Sequence, residues 1–264
     1  MNKIDRSVLG FWPDKEMRLE AAHLLDLLDT AFSGNTSVTP FLGMAMRNWI
    51  EGIVQRSGLA YLFAGGFPDA ERVRLLFGPA GERLLPVDAG VSLLHVYPAD
   101  PGMKLGHRQI LGSLMGLGLK REIVGDIREG VVGFYIATTS EMNTFLLQQW
   151  GQAGAAKIKV KVEEDLPELL PEQGAERRVT LTSPRLDAFV AAGFGVARTA
   201  AQEWISRGLV KRNDLVVLKS DIDIVPGDVI SCRGQGRLRI LAEEGVTRKG
   251  RRMYRILVLR GQRH

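Results

Sequence analysis

The sequence predicts an α+β protein built from three segments, of which the last is strongly basic. Helical spacing of apolar residues dominates the first segment, a β-α-β-β-α-β succession occupies the middle, and two short helices followed by strands form the last. We expect a mainly helical domain over residues 1–83, a central domain over 84–165, a linker over 166–179 and a C-terminal domain over 180–264. A chain of 264 residues is long enough for two or three small domains.

The overall composition is that of a soluble globular protein, with 45% hydrophobic and 25% charged residues. No apolar run approaches the roughly 20 residues that a membrane span needs, and residues 1–10 lack the apolar core of a signal peptide. We therefore expect a cytoplasmic protein with no membrane partner.

The residues that usually carry catalysis or hold metals are few and scattered. Cys232 is the single cysteine, which rules out an intrachain disulfide and a zinc site built from cysteines. The four histidines show no metal-ligand spacing: His23, His95, His107 and His264. The chain also lacks a Walker loop, a nucleophile elbow and a dinucleotide fingerprint. The sequence therefore predicts no catalytic residue, no metal site and no cofactor.

The first segment combines helices with one short strand. Its predicted elements are a helix over Glu16–Leu28, a turn over Ser33–Thr39, a helix that begins at Pro40, a strand over Tyr61–Ala64 and a helix over Pro68–Phe77. The last of these carries two acidic residues in its expected first turn, where the positive end of the helix dipole favours them. Gly65 and Gly66 are expected to form a plain turn.

The middle segment alternates between extended and helical patterns. Its predicted elements are strands over Val91–Tyr97, Val124–Arg128, Val131–Thr138 and Ala156–Glu163, and helices over His107–Leu117 and from Ser140 to Trp150. This order is the split βαβ plan of ferredoxin-like folds, which RNA-recognition motifs (RRMs) share. RRMs stack bases on strand aromatics, but Phe134 and Tyr135 are adjacent and so face opposite sides. We therefore expect an RRM-like topology that lacks a spaced pair of strand aromatics.

Charge separates the last segment from the rest of the chain. From Arg177 to His264 there are 18 Lys and Arg against 8 Asp and Glu, a net charge of +10. The remaining 17 basic and 22 acidic residues give residues 1–176 a net charge of −5. This asymmetry predicts a module that binds a polyanion. The alternative is a solvated basic face with no partner.

Two short helices, a basic turn and a strand pair make up this module. Ser183 is the expected cap of a helix that starts at Pro184 and ends at Gly193, and a second helix is expected over Arg198–Arg207. The basic turn follows at Lys211–Asp214, with strands over Leu215–Leu218 and Val229–Arg233.

We expect four basic side chains of this module to point outward: Arg185, Arg198, Lys211 and Arg212. Arg198 lies at a helix start, where the dipole repels a cation unless an anion joins it, which is typical of a phosphate site. Trp204 shares a helical face with Ala201 and Ile205, so it is predicted to be a core residue.

The stretches SPRLDAFVAAGFGVARTAA, GLVKRN and VPGDVISCRGQGR resemble the RNA-binding module of ribosomal small-subunit protein S-four, also called the alpha-L motif. Two further stretches, FAGGFPDAERVRLLF and LGHRQILGSLMGLGLKREIVGDI, resemble signatures of the YlmH family of bacterial proteins. The chain is therefore identified, by resemblance along nearly its whole length, as a member of that family.

The resemblance implies a cytoplasmic, non-enzymatic RNA-binding protein of ribosome-associated quality control, and we expect the free protein to be a monomer. The implied partners are ribosomal RNA of the large subunit and tRNA or peptidyl-tRNA on stalled subunits. The residues that correspond to RNA contacts are Arg185, Arg198, Thr199, Lys211 and Arg212, and we add Asn213, Arg233 and Arg237 from the same turn and strand pair. Many such modules carry Ser-Arg-Ser where this chain has Ala197-Arg198-Thr199, so the arginine and one hydroxyl are kept.

Basic residues at the two ends of the central helix are candidate secondary RNA contacts: His107, Arg108, Lys120 and Arg121. The alternative functions are an rRNA-modifying enzyme, a ribosome-assembly factor and an adaptor that binds protein through the N-terminal helices. A pseudouridine synthase needs a catalytic Asp in a GRLD-type loop, but Asp187 of the single Arg-Leu-Asp triplet falls inside a predicted helix. A methyltransferase needs a Rossmann domain, and the middle segment is too short and wrongly ordered for one.

Overall fold

The computed structural model describes residues 4–12, 14–172 and 174–260, so the expectations for residues 1–3 and 261–264, including His264, lie outside it. The chain divides into two compact units, Met1–Leu170 and Pro171–His264. Each contains helices and antiparallel sheet, which confirms the α+β fold class. Within the described ranges, no helix is long and apolar enough to cross a membrane.

The first part of the first unit is two helices and a small sheet. Its elements are α1 (Lys15–Phe32), β1 (Ser37–Val38), α2 (Met44–Val54), β2 (Ala60–Ala64) and β3 (Arg74–Gly78), and a 3₁₀ turn over Arg6–Phe11 precedes them. The strands pair antiparallel in the order β1-β3-β2. Helix α1 begins after Asp14, whose carboxylate accepts the backbone N–H groups of Glu16 and Met17. Leu24, Leu25 and Leu28 form its buried face.

One predicted helix in this part is absent, and the predicted start of another is wrong. The expected helix over Pro68–Phe77 is instead a loop followed by β3, whose five residues are all buried. Burial on both faces removes the alternation of apolar and polar residues that identifies a strand, so Leu75–Phe77 cannot be told from part of a buried helix by periodicity alone. The loop is held by the carboxylate of Asp126, which accepts the backbone N–H groups of Glu71 and Arg72. Pro40 does not begin α2, which starts at Met44.

The second part of the first unit has the predicted β-α-β-β-α-β order with one short strand added. Its elements are β4 (Val91–Pro98), α3 (His107–Gly116), β5 (Val124–Glu129), β6 (Phe134–Thr139), α4 (Asn143–Gln149), β7 (Gln152–Ala153) and β8 (Ala156–Glu163). The antiparallel sheet has the order β5-β6-β4-β8-β7. Ser140 does not cap α4, because it lies inside a 3₁₀ turn that precedes Asn143.

The two parts of this unit share direct contacts. The backbone N–H of Phe41 donates to the carbonyl of Glu122 at 2.7 Å. The Arg72 guanidinium donates to the carbonyls of Val124 at 3.0 Å and Phe41 at 2.8 Å. A Cβ atom on Gly125 would lie 2.6 Å from the Phe41 ring, so these segments touch without a gap. The boundary expected at residue 83 therefore falls inside one compact unit.

The second unit places two helices on one face of a six-stranded antiparallel sheet. Its elements are β9 (Ala175–Leu181), α5 (Leu186–Phe194), α6 (Arg198–Ser206), β10 (Val210–Arg212), β11 (Leu215–Val216), β12 (Val229–Cys232), β13 (Gly236–Val246) and β14 (Arg252–Arg260). The strand order is β11-β10-β12-β13-β14-β9. Leu186, Phe189 and Ile205 of the helices pack against Leu238 and Ile256 of the sheet.

The ends of α5 differ from their prediction. Its first N–H groups are satisfied by the carbonyls of Ile222 and Ser220, so Ser183 is not the cap. The helix ends at Gly195, whose φ of 71° suits glycine, and not at Gly193. Gly193 is needed for packing, because a Cβ atom there would lie 2.5 Å from Leu238.

Trp204 is partly buried at the edge of this core. Its ring lies 6.5 Å from the Phe194 ring, centroid to centroid, and it packs against the cluster that contains Ala201 and Ile205. Those two residues are fully buried, so the predicted buried face of α6 is confirmed, with Trp204 at its margin.

Candidate nucleic-acid interface

A buried carboxylate organises the basic residues at the start of the two helices of the second unit. Asp187, in the first turn of α5, has no solvent exposure. Arg198 donates to both of its oxygens, from Nε and Nη2, at 2.9 Å each. The Nε of Arg185 lies 3.6 Å from Oδ1, and Gln202 donates to Oδ2 at 2.8 Å. One carboxylate thereby holds two guanidinium groups in place.

Arg185 and Arg198 are partly exposed, as predicted, but both also pair with Asp187, which the sequence did not indicate. Burial alone would raise the pKa of Asp187, but hydrogen bonds from Arg198 and Gln202 and the charges of the two arginines outweigh it, so that pKa lies below its ordinary value. Asp187 therefore stays ionised and relieves the conflict between Arg198 and the helix dipole. The sequence motif around Asp187 had been considered only as the catalytic motif of a pseudouridine synthase.

The cluster still presents positive charge to solvent. The side chain of Arg198 is 51% exposed and that of Arg185 is 37% exposed. Two arginines on one carboxylate leave a net charge of one positive unit. Helix α6 has no side-chain cap, so the N–H groups of its first turn add to the positive potential. Thr199 lies exposed in that first turn.

A groove of about 350 Å³ adjoins this cluster. It is lined by Thr180, Leu181, Thr182 and Ser183 from the end of β9 and the residues that follow it. Ala188, Ala191 and Ala192 of α5, together with Val196 and Arg198, line the rest. Small side chains such as these alanines let an extended ligand approach the helix closely.

The hairpin between β10 and β11 carries the second group of predicted contacts. Asn213 and Asp214 both have positive φ, 48° and 70°, as a two-residue hairpin turn requires. The buried carboxylate of Asp228 pairs with Arg212 at 2.7 Å and accepts from the Asn213 amide at 2.7 Å. The Asn213 oxygen accepts the backbone N–H of Val229. Arg212 and Asn213 therefore hold the hairpin, whereas Lys211 is exposed.

The predicted contacts lie on both faces of the sheet. Lys211 pairs with Ser231, and Ser231 pairs with Arg237, so these side chains share the face opposite the helices. Arg233 is exposed just after β12. The structure thus brings Arg185, Arg198 and Thr199 together on the helix side, and it places Lys211 and Arg237 on the other.

The four candidate secondary contacts lie around α3 in the first unit. His107 and Arg108 are exposed in its first turn, and Lys120 is exposed and 3.6 Å from Glu122. Arg121 is partly buried, and its guanidinium donates to the carbonyls of Val124 and Gly125. The structure therefore gives Arg121 a role in holding the start of β5.

Among the residues that the structure describes, no group of three or more His, Cys, Asp and Glu side chains is placed to hold a metal ion. Cys232 is buried in the core, and burial raises the pKa of its thiol to about 11.

The fold and the arginine cluster define an RNA-binding protein with an S4 domain at its C-terminal end. A family model described as "S4 domain" matches residues 184–230, and a second, described as "Putative RNA-binding domain in YlmH", matches residues 87–166. The chain is 32% identical over 216 residues to "Ribosome-associated protein quality control protein P2" of Bacillus subtilis (strain 168), a match that covers 80% of this chain and 83% of that protein.

The chain therefore belongs to the YlmH family, as its motifs predicted. Among solved structures, "Cell division protein ylmH from Streptococcus pneumoniae" is similar at 21% sequence identity and a TM-score of 0.48. That match covers 57% of this chain and 92% of the other.

Proposed function

We propose that this protein is a non-enzymatic factor that binds the large ribosomal subunit, and specifically stalled subunits that carry peptidyl-tRNA, in cytoplasmic quality control. The proposal is supported by the relative's name, which describes a ribosome-associated quality-control protein. The observation that carries it is the pair of arginines held on Asp187 inside an S4 domain.

The cluster on Asp187 suits the phosphates of a folded RNA. The exposed edges of Arg185 and Arg198 still have N–H groups that can donate to phosphate oxygens, and charge-assisted bonds of this kind are stronger than neutral ones. The guanidinium groups are held before the ligand arrives, so less side-chain entropy is lost on binding. The uncapped start of α6, with Thr199, adds donors beside them.

The groove beside the cluster extends this surface. The alanines of α5 that line it are small enough for a sugar–phosphate backbone to lie against the helix, and Thr180, Thr182 and Ser183 are proposed to supply hydrogen-bonding groups to the riboses or phosphates. Lys211, Arg233 and Arg237 are proposed as further contacts, on the opposite side of the sheet. Arg212 and Asn213 act by shaping the hairpin that carries Lys211.

We propose that the protein binds RNA without modifying it, because the surroundings of Asp187 do not suit catalysis. A pseudouridine synthase attacks with a free aspartate, whereas both oxygens of Asp187 are occupied by Arg198, Arg185 and Gln202. The carboxylate is inaccessible to solvent, so a target base cannot reach it.

The experiment is co-sedimentation of the purified protein with isolated ribosomal subunits. We expect it to bind large subunits that carry peptidyl-tRNA more tightly than empty large subunits, and not to bind small subunits. Arg185→Gln should weaken this binding about tenfold, because one charge-assisted contact is lost while Asp187 keeps Arg198. The matched control is Arg207→Gln, which removes the same charge from an arginine that pairs with exposed Glu203 at the end of α6 opposite Arg198.

Equal affinity for small subunits, or equal loss in the two variants, would overturn the proposal. Mass analysis of the RNA after incubation tests the enzyme alternative, since a modifying enzyme leaves an altered nucleoside and a binding factor does not.

A further inference from the structure

The central sheet of the first unit carries aromatic rings on the face opposite its two helices. Phe134, Leu94 and Val96 point towards α3 and α4 and form the core on that side. Tyr135 and His95 are directly paired across β6 and β4, and they point the other way. Tyr97 lies two residues further along β4, on the same face as His95.

The prediction that this sheet lacks a spaced pair of strand aromatics is therefore wrong. It weighed only Phe134 and Tyr135, which are adjacent in one strand. The pairing of β4 with β6 brings rings from two strands together, which residue spacing within a single strand does not reveal.

The three rings form one cluster. His95 stacks on Tyr135 with 4.4 Å between ring centroids and 17° between planes, and the Tyr97 ring is 4.8 Å from that of His95. Val132 fixes the imidazole, because its carbonyl oxygen lies 2.7 Å from Nε2 of His95.

Tyr135 and Tyr97 are both partly buried, but only Tyr135 packs in one of the apolar clusters described for this sheet. A Cβ atom on Gly130 would lie 2.3 Å from the Tyr135 ring, and Leu169 packs in the same apolar cluster as that ring. Tyr97 belongs to neither of the apolar clusters on the two faces of this sheet, as far as the described residues show. It is therefore the outer ring of the cluster, with His95 and Tyr135 behind it.

Lysines follow the rings along β8. Lys159 is directly opposite Tyr97 and Lys161 directly opposite His95, so both lysines point to the same face as the rings. Lys157 continues the row, and all three are exposed. Lys161 pairs with Glu163 at 3.0 Å, whereas Lys157 and Lys159 lie exposed further along β8, with Lys159 opposite Tyr97. Alternate residues of a strand are about 6.6 Å apart, a spacing that suits a chain of phosphates better than a single one.

We propose that this face binds an unpaired stretch of RNA, with one base stacked on Tyr97 and the following phosphates on Lys159 and Lys157. A ring backed by His95 and Tyr135 is a rigid platform, and a base stacks on it only when its own face is free of a neighbouring base pair. The lysines of β8 attract the phosphates of such an RNA by charge alone. His95 is a positioning residue, since it touches Tyr97 and not the ligand.

This surface is separate from the arginine cluster of the second unit. The inference takes from the proposed function only that the partner is RNA, and it requires neither the ribosome nor peptidyl-tRNA. It assigns a recognition of bases to the first unit, whereas the second unit recognises phosphates.

The test is photo-cross-linking of the full-length protein to a ten-nucleotide unpaired RNA that contains 4-thiouridine. Tyr97 lies in the tryptic peptide Leu84–Lys104, which has no internal Lys or Arg and is readily identified by mass analysis. We expect the cross-link in this peptide, with at least a fivefold lower yield for Tyr97→Leu and an unchanged yield for Tyr97→Phe. The matched control is Phe145→Leu, which removes an exposed aromatic from α4, on the other side of the sheet.

Affinity for the same RNA gives a second measurement that does not depend on the cross-link. Tyr97→Leu and Lys159→Gln should each weaken binding of the unpaired RNA about fivefold to twentyfold and leave binding of a duplex of the same length unchanged. Lys104→Gln, an exposed lysine outside β8, is the charge control and should have little effect. Melting temperatures within about 2 °C of wild type establish that the variants are folded. If Tyr97→Leu does not fold, the affinity of Lys159→Gln for the unpaired RNA tests the proposal instead.

Two results would overturn this inference and leave the proposed function standing. One is cross-links confined to peptides of the second unit with unchanged affinity in Tyr97→Leu. The other is loss of large-subunit binding in Tyr97→Leu with no RNA cross-link at this face, which would make the partner a protein. Failure of the proposed function appears separately, as loss of subunit binding selectivity in the co-sedimentation experiment.

Discussion

Both units place two helices against an antiparallel sheet, but they carry their binding chemistry on different sides. In the second unit, Arg185 and Arg198 lie at the starts of the two helices and are held by buried Asp187. In the first unit, Tyr97 and the lysines of β8 lie on the face of the central sheet opposite α3 and α4, part of which packs against Phe41, Phe67 and Val73.

The difference follows from what covers each sheet. The outer face of the sheet of the second unit carries ion pairs, such as Arg239 with Glu172 at 2.7 Å and Arg178 with Glu244 at 2.8 Å. The sheet β5-β6-β4-β8-β7 of the first unit instead has aromatic rings and alternating lysines on its face opposite the helices. An arginine pair anchored on a carboxylate suits the phosphates of folded RNA, and an aromatic platform suits bases. Two helices on an antiparallel sheet can therefore support either kind of RNA contact.

The largest expected difference between the two units is in their affinity for structured RNA, measured on each unit as a separate fragment. A fragment over 171–264 should bind structured RNA, and its affinity should fall about 100-fold between 50 and 200 mM salt if about four phosphates are contacted. A fragment over 1–170 should bind the same RNA weakly. Filter binding at a series of salt concentrations measures both, and tighter binding by the first fragment would show that the net charge of +10 is not what attracts structured RNA.

Removing the anchor of the arginine pair should affect stability as well as binding. Asp187→Ala leaves the two guanidinium groups and Gln202 without their common partner, and we expect the second unit to lose about 2–3 kcal/mol of unfolding free energy. Urea denaturation of the 171–264 fragment measures it. Asp221→Ala, an exposed aspartate of the same unit, is the control and should change stability by less than about 0.5 kcal/mol. An unchanged midpoint in Asp187→Ala would mean that the cluster is only a surface contact.

Arg198→Ala tests whether RNA binds at a site of defined geometry or over a diffuse basic patch. We expect RNA binding to weaken by about 1–3 kcal/mol, the range for a charge-assisted contact. The fold is also affected, because the variant leaves buried Asp187 with only its weaker partners. Lys249→Ala, at the exposed tip between β13 and β14, should change affinity less than twofold. Calorimetric titration compares the two, and equal losses would favour a diffuse basic patch.

The smallest expected effect is a difference in acid response between the units. The pKa of Asp187 is lowered, so its contribution to stability is present above the ordinary pKa of 3.8 and is lost as pH falls through the folded value. Burial raises the pKa of Asp126 in the first unit, so that group favours the folded state as pH falls. Between pH 6 and pH 3 the second unit should therefore lose more stability at Asp187 than the first does at Asp126. Denaturation of each fragment at both pH values, with Asp187→Asn as the variant that abolishes the difference, checks this.

Local patterns in the sequence determined much of the fold. The periodicity of Glu16–Leu28, the β-α-β-β-α-β order and the helix over Arg198–Ser206 all correspond to elements of the structure. These features depend on residues within one or two turns of each other, which is the range over which periodicity and turn chemistry act. The basic C-terminal segment and the family motifs were equally visible, because charge and short motifs need no contacts to be recognised.

Tertiary structure alone decided which residues meet. Strand β3 was mistaken for a helix, because burial on both faces removed the alternation that identifies a strand. Asp187 anchors Arg198 eleven residues away, and Tyr135 reaches His95 only through the pairing of β6 with β4. Register and burial are set by residues distant in the chain, so neither the anchored arginine pair nor the aromatic platform can be found from local spacing.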